Sequence, residues 1–369
     1  MRTNALPLLL KFLKICFCIV KISYLKDMDQ KTTTYTLPAE LYHENAFFKI
    51  ERDKIFFNEW QWVGRSELVK NPGQFITAEI TNSPILIIRD NANILRGFHN
   101  VCRHRASKIL LDKKGNCKSL VCPYHGWRYG LNGKLQNSPH FFGAEDFNPK
   151  NFSLFPIKVS EEFGLVFVNI NVDSESLTSW LGPFTEMVNR VYKSNFVFHN
   201  EITFDVNANW KTYVDNYQEG YHIPLIHPQL NRDVVWKEYT LTNADSTSIH
   251  SVPPKSGSHE PGSFGWHFPN IIFNAYGRGA VFQRIEPLKP KWCRVIYNLF
   301  RPSDVSEEDF EANEGQYQKE VSIEDQKIVP LVQQNLETGI YQAGPLSPKY
   351  ESGLAYFHQL LMERIGTGE

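Results

Sequence analysis

The pattern of apolar and polar positions divides the chain into three regions. Residues 37–60 carry apolar side chains at mixed helical spacings, which predicts short helices that pack on a larger domain. Residues 61–170 contain short β-rich runs, such as QFITAEI and SPILIIRD, separated by Asn, Gly and Pro turns. Residues 171–369 mix helical patterns with strands such as EITFDVNA and CRVIYNLF. This order predicts an α+β protein with a small antiparallel β domain and a larger mixed domain.

Three segments of the largest region have the periodicity of helices, namely residues 177–193, 209–222 and 322–337. In the last of them Asp325 shares a helical stripe with positions 328, 329, 332 and 336, which are all Ile, Val or Leu. A carboxylate on an apolar stripe is costly to bury unless it is paired or bound to a metal. We therefore interpret Asp325 as an inward-facing metal ligand. Glu324 lies off the stripe and is interpreted as an ordinary solvated acid.

The composition excludes some classes of function and agrees with two domains. A chain of 369 residues suits two cores, and 39 basic against 40 acidic side chains give no charge excess that would attract nucleic acid. Six irregularly spaced cysteines do not resemble a secreted disulfide framework, so a reducing cytoplasm is expected. Residues 1–36 form an N-terminal extension, and lysines interrupt its apolar stretch from Ala5 to Ile22. We expect no membrane span there, and Met28 is an alternative start of translation.

Two short motifs place four metal-binding side chains on predicted turns of the β-rich region. Cys102 and His104 form a CxH pair, and after 17 residues Cys122 and His125 form a CxxH pair within CPYHGW. Two thiolates can hold one iron of a 2Fe–2S cluster while two imidazoles hold the other. A Cys2His2 zinc site uses the same atoms, but its pairs are usually CxxC and HxxxH. The mixed order of the ligands in each pair favours the cluster.

A second group of metal-binding side chains lies in the segment NWKTYVDNYQEGYHIPLIH. Asp215, Glu219 and His222 stand at positions i, i+4 and i+7, which predicts that they share one face of a helix. Pro224 interrupts this helix, so His227 can turn back toward His222. Two histidines and one carboxylate form the facial triad of non-haem iron(II) oxygenases. The aspartate on the apolar stripe of the third predicted helix is the expected carboxylate.

These motifs resemble those of a known family. The segments CRHR and CPYHGWRYGLNGKL are similar to the Rieske motif of ring-hydroxylating oxygenase catalytic subunits. The pattern ExxHxxxxH at Glu219, His222 and His227 is similar to their iron-binding segment. The resemblance covers nearly everything from Leu37 onward. It implies a Rieske 2Fe–2S domain and a catalytic domain of helix-grip type, with a curved antiparallel sheet, helices and a mononuclear Fe(II).

The resemblance also implies an activity and partners. A reductase or ferredoxin would pass electrons from NAD(P)H to the cluster and on to the iron, where O2 is used to hydroxylate a small organic substrate. In the homotrimer that the family forms, Glu219 would bridge His222 to His125 of the partner subunit. Asp215 and Asn216 resemble a DNY segment whose role is to hydrogen bond the ligands. The alternatives of other classes are a Rieske electron carrier without catalysis and a zinc-stabilised binding module.

Two later segments, FGWHFPNIIFNAY and GPLSPKYESGLAYFHQLL, resemble the choline-monooxygenase-like branch of the family. A quaternary ammonium substrate favours an aromatic cage. The aromatic residues expected near the pocket are Tyr221, Trp266, Phe268, Phe273 and Tyr276. An aromatic ring that is hydroxylated or demethylated is the alternative substrate.

Overall fold

The computed structural model describes residues 34–141, 145–193, 195–255, 263–276 and 279–366. This part of the chain divides into two compact units. The smaller unit is Ile55–Trp180, and the larger unit combines residues 34–54 with the described residues from Leu181 onward. Residues 1–33, and with them most of the N-terminal extension considered above, lie outside the described residues. None of the helices in the described ranges has the length and apolar character needed to cross a membrane.

The smaller unit consists mainly of antiparallel strands. They are β1 (Gln61–Arg65), β2 (Gln74–Ile80), β3 (Ser83–Arg89), β4 (Leu95–His99), β5 (Lys114–Asn116), β6 (Leu120–Val121), β7 (Arg128–Tyr129), β8 (Leu135–Asn137), β9 (Pro156–Glu162) and β10 (Leu165–Asn169). Seven strands form a sheet of order β1-β10-β9-β4-β3-β2-β5, and β6-β7-β8 form a second sheet. Short 3-10 helices span Ser66–Val69 and Pro149–Phe152. The two motif loops follow β4 and connect β6 to β7.

The larger unit is organised around one seven-stranded antiparallel sheet. Its strands are β11 (Phe196–Val206), β12 (Thr240–Ala244), β13 (Thr247–Ser251), β14 (Ser263–His267), β15 (Ile271–Tyr276), β16 (Gly279–Lys289) and β17 (Trp292–Pro302). The order of the strands is β11-β17-β16-β15-β14-β13-β12. Apart from β11, which pairs with β17, each strand pairs with its neighbour in sequence, so the sheet is largely a meander.

Helices precede, interrupt and follow this sheet. They are α1 (Asn45–Glu51), α2 (Leu177–Leu181), α3 (Pro183–Val191), α4 (Trp210–Tyr217), α5 (Ile223–Ile226), α6 (Pro228–Asp233), α7 (Glu307–Phe310), α8 (Gln316–Leu336) and α9 (Ser352–Gly366). Single 3-10 turns occupy Ala39–Tyr42 and Trp236–Glu238, and π-helical turns occupy Arg52–Phe56 and Glu311–Gly315. The expected α+β class, with short helices before the β-rich region and antiparallel sheets in both units, is confirmed.

The register of the sheet decides which side chains can meet above it. Trp266, Ile272, Gln283 and Tyr297 are successive cross-strand partners, so they share one face. Gly265 lies on the opposite face, where the side chain of Met187 from α3 occupies the space that a Cβ would need. Helix α3 therefore packs closely on one face of the sheet. Helices α4 and α9 pack on the other face.

Two helix predictions need correction. The predicted helix 177–193 is broken into α2 and α3 at Gly182, because this residue has a φ of 45° and Pro183 then starts a new helix. In α8 the expected apolar stripe is wrong at Val332, which is 46% exposed. Gln333 is buried instead, because its side chain accepts hydrogen bonds from the backbone N–H of Asn209 and from Thr212.

Two candidate metal sites

The CxH and CxxH motifs fold into two turns with the same backbone hydrogen bonds. In each turn the cysteine carbonyl accepts from the N–H four residues later, at 3.1 Å from Ala106 and 3.0 Å from Gly126. The cysteine N–H donates to the carbonyl five residues later, at 2.8 Å in both turns. Ala106 and Gly126 both have a positive φ, of 58° and 71°. The two arms therefore present their side chains from matching tight loops.

The four side chains of these loops are brought together in the smaller unit. Cys102 and Cys122 are buried, and the ring centroids of His104 and His125 lie 4.6 Å apart. Trp127 stacks on the ring of His104 at 4.9 Å. Nδ1 of His104 is buried without a hydrogen-bond partner among the described residues, which leaves this nitrogen available to a metal.

The protonation states also fit a metal-bound cluster. Burial, with the charges of His125 and Arg105, lowers the pKa of His104, so its imidazole is neutral as a ligand must be. Burial raises the pKa of the Cys102 thiol, so a thiolate there requires a cation beside it. The Tyr129 hydroxyl accepts from the Arg103 N–H and lies 3.3 Å from the Cys102 sulfur, to which it can donate. Such a hydrogen bond to a ligand sulfur tunes the potential of an iron–sulfur cluster.

The second site depends on a break in the chain between two helices. The predicted helix 209–222 ends at Tyr217 and helical geometry resumes in α5. A continuous helix would drive the ring of Pro224 into the carbonyl of Gly220. That carbonyl instead accepts a 2.6 Å hydrogen bond from the indole of Trp236. The shared helical face expected for Asp215, Glu219 and His222 is therefore wrong, since the last two lie beyond the helix.

The break places two histidines at the ends of the four-residue helix α5. His222 is its N-cap and His227 is its C-cap, and their Nε2 atoms lie 3.0 Å apart. Asp325 of α8 contributes a carboxylate oxygen 3.1 Å from Nε2 of His227 and 3.9 Å from Nε2 of His222. These three ligand atoms lie within 4.8 Å of one another. The arrangement matches a facial triad of two imidazoles and one carboxylate.

Each histidine has a carboxylate on its other ring nitrogen. Glu219 hydrogen bonds Nδ1 of His222, and its second oxygen accepts from the backbone N–H of His222 at 3.1 Å. Glu324 lies 2.8 Å from Nδ1 of His227. Both contacts favour the tautomer with hydrogen on Nδ1, which leaves Nε2 free to bind a metal. The interpretation of Glu324 as an ordinary solvated acid is wrong, because α8 presents it to His227.

The two polar residues of the DNY segment have different surroundings. Asn216 donates a 2.8 Å hydrogen bond to the Asp325 oxygen nearest the histidines. Asp215 instead accepts a 2.6 Å hydrogen bond from Tyr42 and lies 3.0 Å from Nε2 of His358. Asn216 thus acts on the triad, whereas the hydrogen bonds of Asp215 tie α4 to the first 3-10 turn and α9.

The electrostatics at the triad are dominated by its acids. Burial lowers the pKa of His227, but hydrogen bonds and charge from Asp325 and Glu324 outweigh burial and raise it above the usual value. A cation at this place is therefore favoured, whether it is a proton or a metal ion. Farther from the triad, burial alone lowers the pKa of His250 to about 3, so this imidazole is neutral.

A cavity adjoins the triad, and its aromatic wall differs from the expected one. The aromatic residues that line it are Tyr213, Tyr217, Tyr239, Phe264, Tyr297 and Tyr317. The expected Trp266, Phe268 and Phe273 are fully buried in the core instead. Trp266 and Phe268 pack around Phe357 of α9, and Phe273 packs on Phe282. Tyr221 is 56% exposed, and the side chain of Tyr276 lies outside the described residues.

Comparison with known proteins agrees with both sites. The family profile described as "Rieske [2Fe-2S] domain" matches residues 59–147, and the profile "Ring hydroxylating alpha subunit (catalytic domain)" matches residues 194–367. Choline monooxygenase of Atriplex hortensis is 30% identical over 351 residues, which are 91% of this chain and 80% of that protein. The carnitine monooxygenase oxygenase subunit of Acinetobacter baumannii is 28% identical over 89% of this chain and 94% of that protein.

Solved structures share the same fold. A quaternary ammonium Rieske monooxygenase in complex with L-carnitine superposes with a TM-score of 0.80 at 27% identity, over 90% of this chain and 96% of that one. Naphthalene 1,2-dioxygenase from Rhodococcus sp. superposes with a TM-score of 0.79 at 18% identity, over 94% of this chain and 97% of that one, which shows the fold alone. The expected family, enzyme class and cofactors are thereby confirmed. The chain belongs to the Rieske non-haem iron oxygenases, as a catalytic subunit with a Rieske 2Fe–2S cluster and a mononuclear iron.

Proposed function

We propose that this enzyme hydroxylates a small quaternary ammonium compound. The observation that carries the proposal is the cavity beside the triad, which is lined by six aromatic side chains. Aromatic faces attract a cation that has no hydrogen-bond donor of its own. The choline, glycine betaine and carnitine monooxygenases among the relatives act on such compounds, in agreement with this choice.

The tyrosines of the cavity wall are suited to this task because they remain uncharged. Burial raises the pKa of four of them, which are Tyr213, Tyr217, Tyr239 and Tyr297. Their hydroxyls are also engaged with the protein, since Tyr213 and Tyr297 share a 2.6 Å hydrogen bond and Tyr217 donates to Asn274 at 2.7 Å. With the hydroxyls engaged, the rings can offer mainly their π surface to a ligand.

We assign the cofactors to the two clusters of side chains described above. Cys102, Cys122, His104 and His125 would hold the 2Fe–2S cluster, and His222, His227 and Asp325 would hold Fe(II). When bound, the iron supplies open positions where O2 is reduced next to the substrate. The protein orients the ligands: Asn216 fixes the Asp325 carboxylate, and the two glutamates fix the imidazoles.

Electrons must enter the protein from outside, because a Rieske oxygenase subunit depends on a reductase or ferredoxin. NAD(P)H is the proposed source. We further propose a homotrimer in which Glu219 bridges His222 to His125 of the partner subunit, so that the electron passes from the partner's cluster to this iron. The side chain of His125 is exposed, and exposed apolar side chains flank His222, with Leu225 at 88%. Four free cysteines among the described residues suit a reducing compartment such as the cytoplasm.

The other functions considered from the sequence have less support. An electron carrier or a zinc-stabilised binding module would not need the triad. Neither function explains why residues 194–367 match the catalytic domain of ring-hydroxylating alpha subunits. Hydroxylation or demethylation of an aromatic ring is the weaker alternative. Its support is a likeness to naphthalene dioxygenase that extends to the fold alone.

The proposed function is tested on protein purified anaerobically with its metals. We expect a red-brown protein with about three irons and two sulfides per chain. With NAD(P)H and a reductase as the electron source, it should consume O2 and form product when choline or another quaternary amine is added. The His222→Ala variant should keep the colour but lose the mononuclear iron and the product. Product formation from aromatic acids alone, or turnover by the variant equal to that of the wild type, would contradict the proposal.

A further inference from the structure

The cavity contains two amide side chains whose hydrogen bonds are missing. Gln283 of β16 is 3% exposed and Gln318 of α8 is 8% exposed, and both line the cavity. No side-chain hydrogen bond connects either amide to another described residue. The two glutamines belong to a strand and to a helix that are distant in sequence. They line the same cavity because α8 packs against the sheet.

The other polar groups of the same cavity are engaged with the protein. Asn274 accepts from Tyr217, Asn216 donates to Asp325, and Tyr239 lies 2.6 Å from Nδ1 of His250. The two glutamines are thus exceptions in a wall whose polar groups are otherwise paired. No amide atom of either glutamine is among the fully buried polar atoms that lack a partner, so these atoms face the open cavity, where water or a ligand can pair with them.

We propose that Gln283 and Gln318 form a polar subsite that binds the uncharged end of the substrate. This inference rests on the proposed function and deepens it. The aromatic wall would take the ammonium group, and the two amides would take a hydroxyl or carbonyl at the other end. The substrate class is then an ammonium compound with an uncharged polar tail, such as an amino alcohol.

The charges of the cavity favour such a tail over a carboxylate. A buried carboxylate is stabilised by a charged donor such as arginine, and neutral amides are weaker partners for it. None of the described residues that line the cavity is an arginine or a lysine. An amide can accept from a hydroxyl through its oxygen and donate to it through its nitrogen, so it matches an alcohol in either direction.

The experiment compares two ligands that differ in one hydroxyl, namely choline and ethyltrimethylammonium. Their dissociation constants are measured by calorimetry on the anaerobic full-length enzyme with its metals in place. We expect the wild type to bind choline about threefold to tenfold more tightly, which corresponds to one net hydrogen bond. The variants Gln283→Met and Gln318→Met keep the side-chain length but remove the amide, and each should reduce this preference. Gln334→Met, on the exposed face of α8, is the matched control and should retain it.

The outcomes separate this inference from the proposed function. If quaternary amines are hydroxylated but the preference for choline survives in both methionine variants, the polar subsite is wrong and the function stands. Tighter binding of glycine betaine than of choline would also overturn it. If no quaternary amine is hydroxylated at all, the proposed function itself fails. The visible spectrum and melting temperature of each variant show whether it is folded, and each methionine variant tests the subsite independently of the other.

Discussion

At the scale of single residues, the most informative contact is that between Glu324 and His227. It is separate from the contact between Glu219 and His222, so each imidazole of the triad has its own carboxylate. Such a partner fixes the ring orientation and makes the metal-binding nitrogen more basic. The two glutamates differ in their surroundings, since Glu219 also accepts from backbone N–H groups of its own loop, at Tyr221 and His222.

Replacing Glu324 by glutamine is expected to weaken iron binding. The substituted amide side chain can keep an oxygen near Nδ1 of His227 but removes the charge, and loss of such partners typically costs about 10-fold to 100-fold in metal affinity. Titration of the metal-depleted protein with Fe(II) would measure the change. Glu320→Gln on the same helix is the control, because Glu320 accepts from Gln316 at the start of α8. Equal affinities of wild type and Glu324→Gln would contradict the role of this carboxylate.

A second residue-scale prediction concerns pH and His250. This buried imidazole has a pKa of about 3 against 6.5 in the unfolded chain, so the folded state prefers it neutral. Above pH 6.5 it imposes no cost. As the pH falls below 6.5, the unfolded state binds the proton first, and stability is lost progressively until about pH 3.

The measurement is the free energy of unfolding of wild type and His250→Gln at two pH values. Between about pH 7.5 and pH 5.5 the wild type should lose about 1.4 kcal/mol more than the variant. Other titrating groups are common to both proteins and cancel in the comparison. A parallel pH dependence of the two proteins would show that His250 is not held neutral by the fold.

At the scale of elements, the break between α4 and α5 produces the iron site. Gly220 allows it, because a Cβ at this position would lie 2.8 Å from the ring of Tyr239. The freed carbonyl of Gly220 is satisfied by Trp236, and Pro224 starts the next helix. The contacts of Gly220 join it to residues that follow it by 16 and 19 positions, and their joint effect with Pro224 is to turn His222 and His227 toward the same point.

Gly220→Ala is expected to disturb this arrangement. The added methyl group must displace the ring of Tyr239, which lines the cavity, and overpacking of this kind typically costs about 1–3 kcal/mol. We expect a lower melting temperature and a lower content of mononuclear iron, with the cluster spectrum unchanged. Glu238→Ala, at an exposed position beside Tyr239, serves as the control. A variant with the stability and iron content of the wild type would show that the chain can relax around the methyl group.

At the scale of the whole molecule, the two compact units carry separate metal sites on one chain. The proposed cluster ligands belong to Ile55–Trp180, and the triad belongs to the larger unit. In the proposed homotrimer the cluster of one chain serves the iron of the next. This arrangement would make each subunit catalytically incomplete without its neighbour.

Mixed trimers test this arrangement. His125→Ala should lack a competent cluster, and His222→Ala should lack a competent iron site, so each variant alone is expected to be inactive. When the two variants are refolded or expressed together, activity should return in trimers where an intact cluster adjoins an intact triad. Native mass spectrometry would establish that mixed trimers form. Activity that stays absent in verified mixed trimers would indicate transfer within one chain.

Sequence alone was sufficient where ligands lie close together along the chain. Cys102 with His104, and Cys122 with His125, are separated by one or two residues, so any tight turn brings each pair together. The periodicity of one helix predicted that Asp325 faces inward, because a charge on an apolar stripe is costly without a partner, and the structure places it beside His222 and His227. The short β-rich runs, separated by Asn, Gly and Pro turns, predicted the antiparallel sheet of the smaller unit for the same reason of local pattern.

The tertiary structure alone decided which groups complete the sites. Periodicity could not place Glu324 beside His227, since the orientation of α8 depends on its packing against α4. Periodicity also could not predict that α4 ends at Tyr217. This end depends on the contacts of Gly220 with Tyr239 and Trp236, which lie later in the chain. The cavity wall was predicted with the wrong aromatic residues for the same reason. Sequence spacing determines local neighbours, whereas the register of seven strands and the packing of helices on them determine which distant side chains share a space.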